Sequence, residues 1–157
     1  MKLADIFVPD TIVPELDART KLESIEELVG VLRTTRRITK ASAPLIRSAI
    51  DRREEMGSTG IGRGIGVPHI KQAAVKKIVG AFGRSSQGIE FQALDGGPVH
   101  LVFLIVSPEA EVENHLNALR KISSLANDED MRRFLRNAES VEEIADLMAE
   151  ADERYRI

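Results

Sequence analysis

An almost unbroken apolar run from Val99 to Val106, VHLVFLIV, constrains the fold more than any other stretch of the sequence. A strand with one solvated face alternates apolar and polar residues, and this run has no polar face. We therefore predict a central strand that is covered on both faces. His100 interrupts the run, and we predict a structural role for it, held by a backbone hydrogen bond.

The segments around this strand carry helix and turn signals. Thr20-Lys-Leu-Glu23 is a capping box, and Ser42-Ala43-Pro44 is typical of a helix N-terminus. The spacing of apolar residues predicts helices at 21–33, from 43 to about 53, and at 110–126, 131–138 and 141–155. Extended stretches are predicted at 11–16, where Pro14 favours an edge strand or an irregular one, and at 77–84 and 91–94. Turns are predicted at 85–88 and 95–98.

These elements predict a mixed α/β fold in which a central sheet is flanked by helices. The length of 157 residues and the absence of a repeat or linker favour a single domain over residues 1–157.

Arg53 lies at the end of the helix that begins near Pro44. It follows Ile46 by seven residues and Ala49 by four, which predicts that it continues the buried face of the helix. A guanidinium there requires a partner or an anion. An ordinary surface arginine that extends past the core is an equally good interpretation of the spacing alone.

The helix at 110–126 carries the second histidine of interest, His115. The apolar face predicted for this helix comprises Val112, Leu116, Leu119, Ile122, Ser123 and Ala126. His115 lies three residues after Val112 and four before Leu119, so it faces the protein or the rim of that face. Spacing alone predicts a structural histidine.

Residues 53–69, REEMGSTGIGRGIGVPH, form the most unusual stretch of the chain, with glycine at 57, 60, 62, 64 and 66. Four glycines at every second position predict an extended segment with one bare face that a backbone, a phosphate or a partner could approach. Val67-Pro68 stiffens the backbone that leads into His69, which suits a side chain that must be aimed. A glycine-rich surface loop is the alternative interpretation.

Several kinds of site are disfavoured by their missing motifs. The segment matches neither the P-loop pattern nor the Gly-x-Gly-x-x-Gly dinucleotide pattern. No Gly-x-Ser-x-Gly elbow supports a hydrolase that uses Ser58 or Ser123. No compact ligand spacing supports a zinc site formed by His69, His115 and a carboxylate.

Three blocks resemble one known family: Arg53-Glu-Glu55, Gly57-Ser-Thr-Gly-Ile-Gly62 and Gly64-Ile-Gly-Val-Pro-His69. They are similar to the active-site segment of enzyme IIA of the bacterial phosphoenolpyruvate-dependent phosphotransferase system, fructose/mannitol class. The version Met56-Gly-Ser-Thr59 looks most like the nitrogen-regulatory branch. The chain departs from the family at Gly66, where alanine is usual, and at Ile70, where a small residue is usual.

The resemblance implies the enzyme IIA sandwich fold and specific roles for the site residues. His69 would be phosphorylated, Arg53 would support it, and His115 would match the second histidine of the family. The Ser58-Thr59-Gly60 turn could add hydroxyl and backbone donors for the phosphoryl group. Histidine suits this role because a large neutral fraction exists near neutral pH.

The resemblance also implies partners. The phosphoryl donor would be a histidine-phosphorylated carrier of the HPr type, so no cofactor and no metal are expected. The protein would act as a phosphorylation-dependent regulator of a target protein, or as a relay to a sugar-specific enzyme IIB. A binding domain that is not phosphorylated is a third possibility, which Ile70 keeps open.

Composition excludes other classes of protein. The chain has no cysteine, a net charge of −3 and few aromatic residues, which argues against disulfide chemistry and nucleic-acid binding. No apolar run approaches the roughly 20 residues of a membrane span. With Asp5 near the start, no signal peptide is expected. A cytoplasmic location is predicted, with membrane contact only indirectly through a permease.

Overall fold

The structure is a computed structural model that describes residues 1–156. Its strands are β1 (Ile12–Val13), β2 (Gly60–Gly62), β3 (Ile65–Gly66), β4 (His69–Lys71), β5 (Val79–Ile89) and β6 (Val99–Ser107). Its helices are α1 (Leu3–Ile6), α2 (Lys21–Thr34), α3 (Ala43–Glu55), α4 (Val112–Ala126), α5 (Glu129–Asn137) and α6 (Val141–Arg154). None of these helices combines the length and the apolar character needed to cross a bilayer.

The six strands form one mixed sheet with the order β1-β5-β6-β3-β2, and β4 also pairs with β6. β6 is antiparallel to β5 on one side and parallel to β3 and β4 on the other. β1 is parallel to β5 and lies at the edge of the sheet, as Pro14 predicted, although it is only two residues long. The predicted mixed α/β fold is therefore confirmed.

Alternate residues of β6 enter two separate hydrophobic cores. Leu101, Phe103 and Ile105 pack with α1, α4, α5 and α6, whereas Val102 and Leu104 pack with α2 and α3. All five side chains are fully buried. The prediction of a strand covered on both faces is confirmed, and the continuous apolar run is explained by the two helical layers.

Three local predictions differ from the structure. The turn predicted at 85–88 is part of β5, which continues to Ile89 with a shift in its pairing to β6. The stretch 91–94 forms no strand, although Glu90 makes an isolated bridge to Thr20. On α4, Ile122 and Ala126 are buried as predicted, but Val112 and Leu116 are 47% and 40% exposed, and Ala118 and Leu125 are buried in addition. The apolar residues of α4 surround more of the helix than the core covers, so their spacing alone identified only part of the buried face.

Candidate functional site

The glycine-rich segment folds back on itself and is not the single extended run that its alternating glycines predicted. β2 and β3 pair as an antiparallel hairpin, with left-handed backbone at Arg63 (φ 58°) and Gly64 (φ 80°). Because the chain turns here, the glycines before and after the turn no longer follow one another along a single extended strand. As a result Gly60 and Gly66 lie opposite each other.

The bare face of this hairpin is filled from inside the protein. A Cβ atom on Gly66 would lie 2.9 Å from Cζ of Phe91, and one on Gly60 would lie 2.8 Å from Cα of Ala93. Phe91 is fully buried. Of the approaches predicted for this face, that of another backbone occurs at Gly60, beside Cα of Ala93, and the aromatic ring of Phe91 fills the space at Gly66. A phosphate or a partner has no room at these two glycines.

His69 begins β4, directly after the buried Val67-Pro68 pair. Its Nδ1 lies 2.6 Å from the carbonyl oxygen of Val67. A carbonyl oxygen can only accept, so Nδ1 carries the proton and donates. Nε2 is then the nitrogen with a free lone pair, and the short β4 strand, paired in parallel with β6, holds the ring in place.

Burial lowers the pKa of His69 below its usual value. The hydrogen bond to the Val67 carbonyl raises this pKa, and the nearby Arg53 guanidinium lowers it further, but burial is the largest cause. The imidazole is therefore neutral, and its Nε2 nucleophilic, at neutral pH.

His115 lies beside His69, with ring centroids 5.5 Å apart and 49° between the ring planes. It is 5% exposed, which confirms that it faces the protein. Its Nδ1 is 2.6 Å from the hydroxyl oxygen of Ser107, which is fully buried at the end of β6. Within residues 1–156 the Ser107 hydroxyl has no other acceptor, so it donates to Nδ1 and Nε2 of His115 carries the proton.

The pKa of His115 is lowered to about 4, first by burial and then by the neighbouring His69 and Lys71. The ring is neutral at physiological pH. It can therefore donate a hydrogen bond from Nε2 without adding a charge to the site.

Arg53, His69 and His115 line one cavity of about 700 Å³, together with Ala49, Ile70, Lys71, Glu109, Leu116 and Leu119. Arg53 is half-buried, and its Nη1 donates to the carbonyl oxygen of Gly57 at 3.0 Å. Arg53 lies in the last turn of α3, and its other guanidinium donors have no hydrogen-bond partner among residues 1–156. Ile70 is only 8% exposed, because most of its side chain packs into the core beside α2 and α3.

Glu54, rather than Arg53, continues the buried face of α3. It is 6% exposed, and its two oxygens accept from the backbone nitrogen of Thr59 at 3.0 Å and from the Thr59 hydroxyl at 2.6 Å. Sequence reasoning missed this residue. The spacing of Ile46, Ile50 and Glu54 at every fourth position could have identified it.

The turn formed by Ser58, Thr59 and Gly60 lies outside the cavity that His69 lines, and its hydrogen bonds stabilise the glycine-rich segment. Ser58 donates its hydroxyl to the carbonyl oxygen of Phe91 and accepts from the backbone nitrogen of Gly60, both at 3.0 Å. Thr59 is bound to Glu54. The predicted phosphoryl donors of this turn therefore have partners inside the protein, and the sequence could not show this because Phe91 is distant in the chain.

No group of three or more histidine, cysteine, aspartate or glutamate residues in the part of the chain that the structure describes is placed to hold a metal ion. The His69–His115 pair thus occurs without a nearby cluster of carboxylates. Its charged neighbours in the cavity are Arg53, Lys71 and Glu109.

Comparison with known proteins places this geometry in one family. The model of the phosphoenolpyruvate-dependent sugar phosphotransferase system EIIA 2 family matches residues 5–151. The chain belongs to this family of phosphotransfer components, as the resemblance of the glycine segment predicted.

Relatives in this family include both regulators and sugar-specific components. A nitrogen regulatory protein of Bradyrhizobium diazoefficiens is 32% identical over 149 residues, which are 95% of each chain. A fructose-specific EIIABC component of Bacillus subtilis is 38% identical over 152 residues, 97% of this chain but 24% of that protein. The chain thus spans about a quarter of the length of the Bacillus protein.

The solved structure of nitrogen regulatory protein IIA-Ntr from Neisseria meningitidis superposes with a TM-score of 0.84 at 30% identity, covering 93% of this chain and 98% of that one. IIA mannitol from Escherichia coli shares the fold, with a TM-score of 0.75 at 23% identity over 90% of this chain and 98% of that one. The predicted enzyme IIA sandwich is confirmed.

Proposed function

We propose that His69 accepts a phosphoryl group from a histidine-phosphorylated carrier of the HPr type, and that the phosphorylation state regulates binding to a target protein. The observation that supports this most directly is the hydrogen bond from His69 Nδ1 to the Val67 carbonyl, 2.6 Å long. It leaves the Nε2 lone pair as the nucleophile in a cavity that also contains Arg53 and His115.

The transfer is a direct exchange between two imidazoles. The Nε2 lone pair of His69 attacks phosphorus and forms a new P–N bond as the P–N bond of the carrier breaks. The carrier imidazole, protonated at its other nitrogen, takes that electron pair and leaves neutral, while Nδ1 of His69 keeps its proton and its hydrogen bond to Val67. The protein contributes mainly alignment and charge stabilisation to such a reaction. No nucleotide or metal enters this scheme, because the donor is already phosphorylated.

Arg53 and His115 stabilise the phosphoryl oxygens in this scheme. The Arg53 guanidinium supplies a fixed positive charge and a planar pair of donors that match two oxygens. His115 donates from Nε2, since Ser107 occupies its Nδ1. Ser58, Thr59 and Gly60 position the segment, and Glu54 joins it to α3.

The regulatory role is favoured by the relatives that match over nearly their whole length. The Bradyrhizobium nitrogen regulatory protein is covered to 95%. A relay to an enzyme IIB is the second candidate, because a fructose-specific EIIA component of Haloferax volcanii is 40% identical over 134 residues, 85% of this chain and 86% of that protein. Both roles are cytoplasmic, with any membrane contact made through a permease.

Intact mass spectrometry tests the phosphorylation. The protein is incubated with phosphoenolpyruvate, enzyme I and the carrier, beside a His69→Ala variant. We expect one acid-labile phosphoryl group on the wild-type protein and none on the variant. A wild-type protein that gains no phosphate from a cognate carrier would contradict the proposal and leave the binding domain that is not phosphorylated.

A second experiment separates the regulator from the relay. The phosphorylated protein is mixed with fructose-type and mannitol-type enzyme IIB domains, and the loss of its phosphoryl group is followed over time. A regulator retains its phosphate in the presence of these domains. Rapid transfer to one of them would identify the relay instead.

A further inference from the structure

A second cavity, about 520 Å³ in volume, is lined by arginines and lies apart from His69. The arginines that line it are Arg63, Arg84, Arg132, Arg133 and Arg136. His100 and Glu129 are also on its wall, and Glu129 is the one carboxylate among the described lining residues. The cavity is therefore strongly positive in a protein whose net charge is −3.

The two cavities lie at opposite ends of β6. His100, near the start of β6, lines the arginine cavity, whereas His69 pairs with Ile105 further along the strand. His100 and Ile105 are five positions apart, which corresponds to about 17 Å along a strand. A ligand in the arginine cavity would therefore leave the face around His69 and His115 open.

Two of the arginines are paired with carboxylates. Arg84 lies 3.2 Å from Glu15, and Arg133 lies 2.9 Å from Asp130. The other three have no carboxylate partner among residues 1–156. Arg63 donates to the side-chain oxygen of Asn127, and Arg132 donates to the carbonyl oxygen of Ala126, both at 2.6 Å. The guanidinium of Arg136 has no hydrogen-bond partner among residues 1–156.

Three guanidinium charges thus converge on one cavity without a neutralising group of their own. Like charges that share a site repel, and an anion between them would remove that repulsion. Neutral acceptors use only one of the five N–H donors of Arg63 and of Arg132. The remaining donors are available to a ligand.

Arg63 is held at the cavity by an unusual backbone. Its φ of 58° lies in the left-handed region, which favours glycine or asparagine. The carboxylate of Asp95 accepts from its backbone nitrogen at 3.1 Å and stabilises the turn. The hairpin therefore fixes the backbone from which this guanidinium extends into the cavity.

We propose that this cavity binds a small molecule that carries two or more neighbouring phosphate groups. Arginine forks match phosphate oxygens in pairs, and several guanidiniums around one cavity suit adjacent phosphates. The volume lies in the range of small-molecule sites. No Phe, Tyr or Trp is among the described lining residues to stack on a base, so recognition rests on the phosphates.

Calorimetric titration with pyrophosphate tests the site, with inorganic phosphate, citrate and polyglutamate as comparison ligands. We expect saturable binding of one pyrophosphate per chain, tighter than that of phosphate or citrate. Equal affinity for citrate, binding of polyglutamate alone, or no saturable binding would overturn the proposal.

Two matched double variants locate the binding. Arg63→Asn with Arg136→Gln removes two guanidiniums that have no carboxylate partner among residues 1–156, and asparagine suits the turn at residue 63. Arg33→Gln with Arg36→Asn is the control, because both residues are exposed and Arg36 also has a left-handed φ of 62°. We expect pyrophosphate affinity to fall about tenfold or more in the first variant and to be unchanged in the control.

An equal loss of affinity in both double variants would indicate general charge attraction and contradict the proposal. The His69→Ala protein should bind pyrophosphate as the wild type does. This separates the arginine cavity from the phosphoryl acceptor, since each site can fail its test while the other passes.

Discussion

The ammonium of Lys21 lies 3.3 Å from a carboxylate oxygen of Glu54, with the two side chains 9% and 3% exposed. Through Glu54 this ion pair connects the first residue of α2 to the backbone of Thr59. The segment that leads to His69 is thereby anchored to both helices on one face of the sheet. The pair lies outside the cavity that His69 lines, and it stabilises the position of the segment. The Glu54 carboxylate also raises the pKa of His69, against the larger effect of burial.

Breaking this pair from one side should destabilise the protein strongly. Lys21→Met leaves the Glu54 carboxylate buried without its cation, and we expect the free energy of unfolding to fall by roughly 3–5 kcal/mol. Urea denaturation measures the change. The double variant Lys21→Met with Glu54→Gln is the control, because it removes both charges and should recover most of the lost stability. If the double variant instead lost the sum of the unfolding free energies lost by the two single variants, the two residues would not interact.

Gly66 and Phe91 should be coupled. Alanine at residue 66 would place Cβ 2.9 Å from Cζ of the fully buried Phe91 ring, and we expect Gly66→Ala to cost about 1–3 kcal/mol of unfolding free energy. Phe91→Leu creates room for this methyl group. Thermal unfolding should therefore show Gly66→Ala to be less harmful in the Phe91→Leu background, and an equal effect in both backgrounds would refute the coupling.

Arg53 should matter more for phosphoryl transfer than for folding. It is half-buried, and a carbonyl oxygen is its acceptor, so Arg53→Ala should change stability little. We expect the rate of phosphorylation to fall by about 10²-fold, because one preorganised charge is lost from the transition state. Time-resolved mass spectrometry measures the rate, and Arg52→Ala, an exposed neighbour on α3, is the control. Similar phosphorylation rates for the two variants would show that Arg53 does not contribute to phosphoryl transfer.

His115 should make the folded protein less stable as the pH falls. Its pKa is about 4 in the folded state, first because of burial, against an ordinary value of 6.5. Between these values the unfolded chain binds the proton and the folded protein does not. Its contribution to stability is therefore fully present above pH 6.5 and decreases as the pH falls toward 4.

Denaturant unfolding at pH 7.5 and pH 5 checks this dependence against His115→Asn, which cannot titrate in this range. We expect the variant to lose less stability than the wild type on acidification. A titration of the imidazole by NMR provides an independent measurement. A His115 pKa at or above 6.5 would contradict the prediction.

The amino-acid sequence by itself determined the elements whose signals are local. The apolar run at 99–106 predicted a strand buried on both faces, and the capping box at Thr20 predicted the start of α2, where Thr20 accepts from the Glu23 backbone and Glu23 caps in return. Val67-Pro68 predicted a stiff approach to His69. Each signal is complete within a few residues, so no knowledge of distant neighbours was required.

Tertiary structure alone decided which groups meet. The alternating glycines specify a bare face only while the chain stays extended, and the turn at Arg63 folds that face onto Phe91. The fixed tautomer of His115 depends on Ser107, eight residues earlier at the end of β6. The arginine cavity joins Arg63 to Arg136, which only the docking of the hairpin beside α5 brings together. Periodicity reports which side of an element is apolar, whereas these contacts depend on strand order and helix packing, which no local pattern contains.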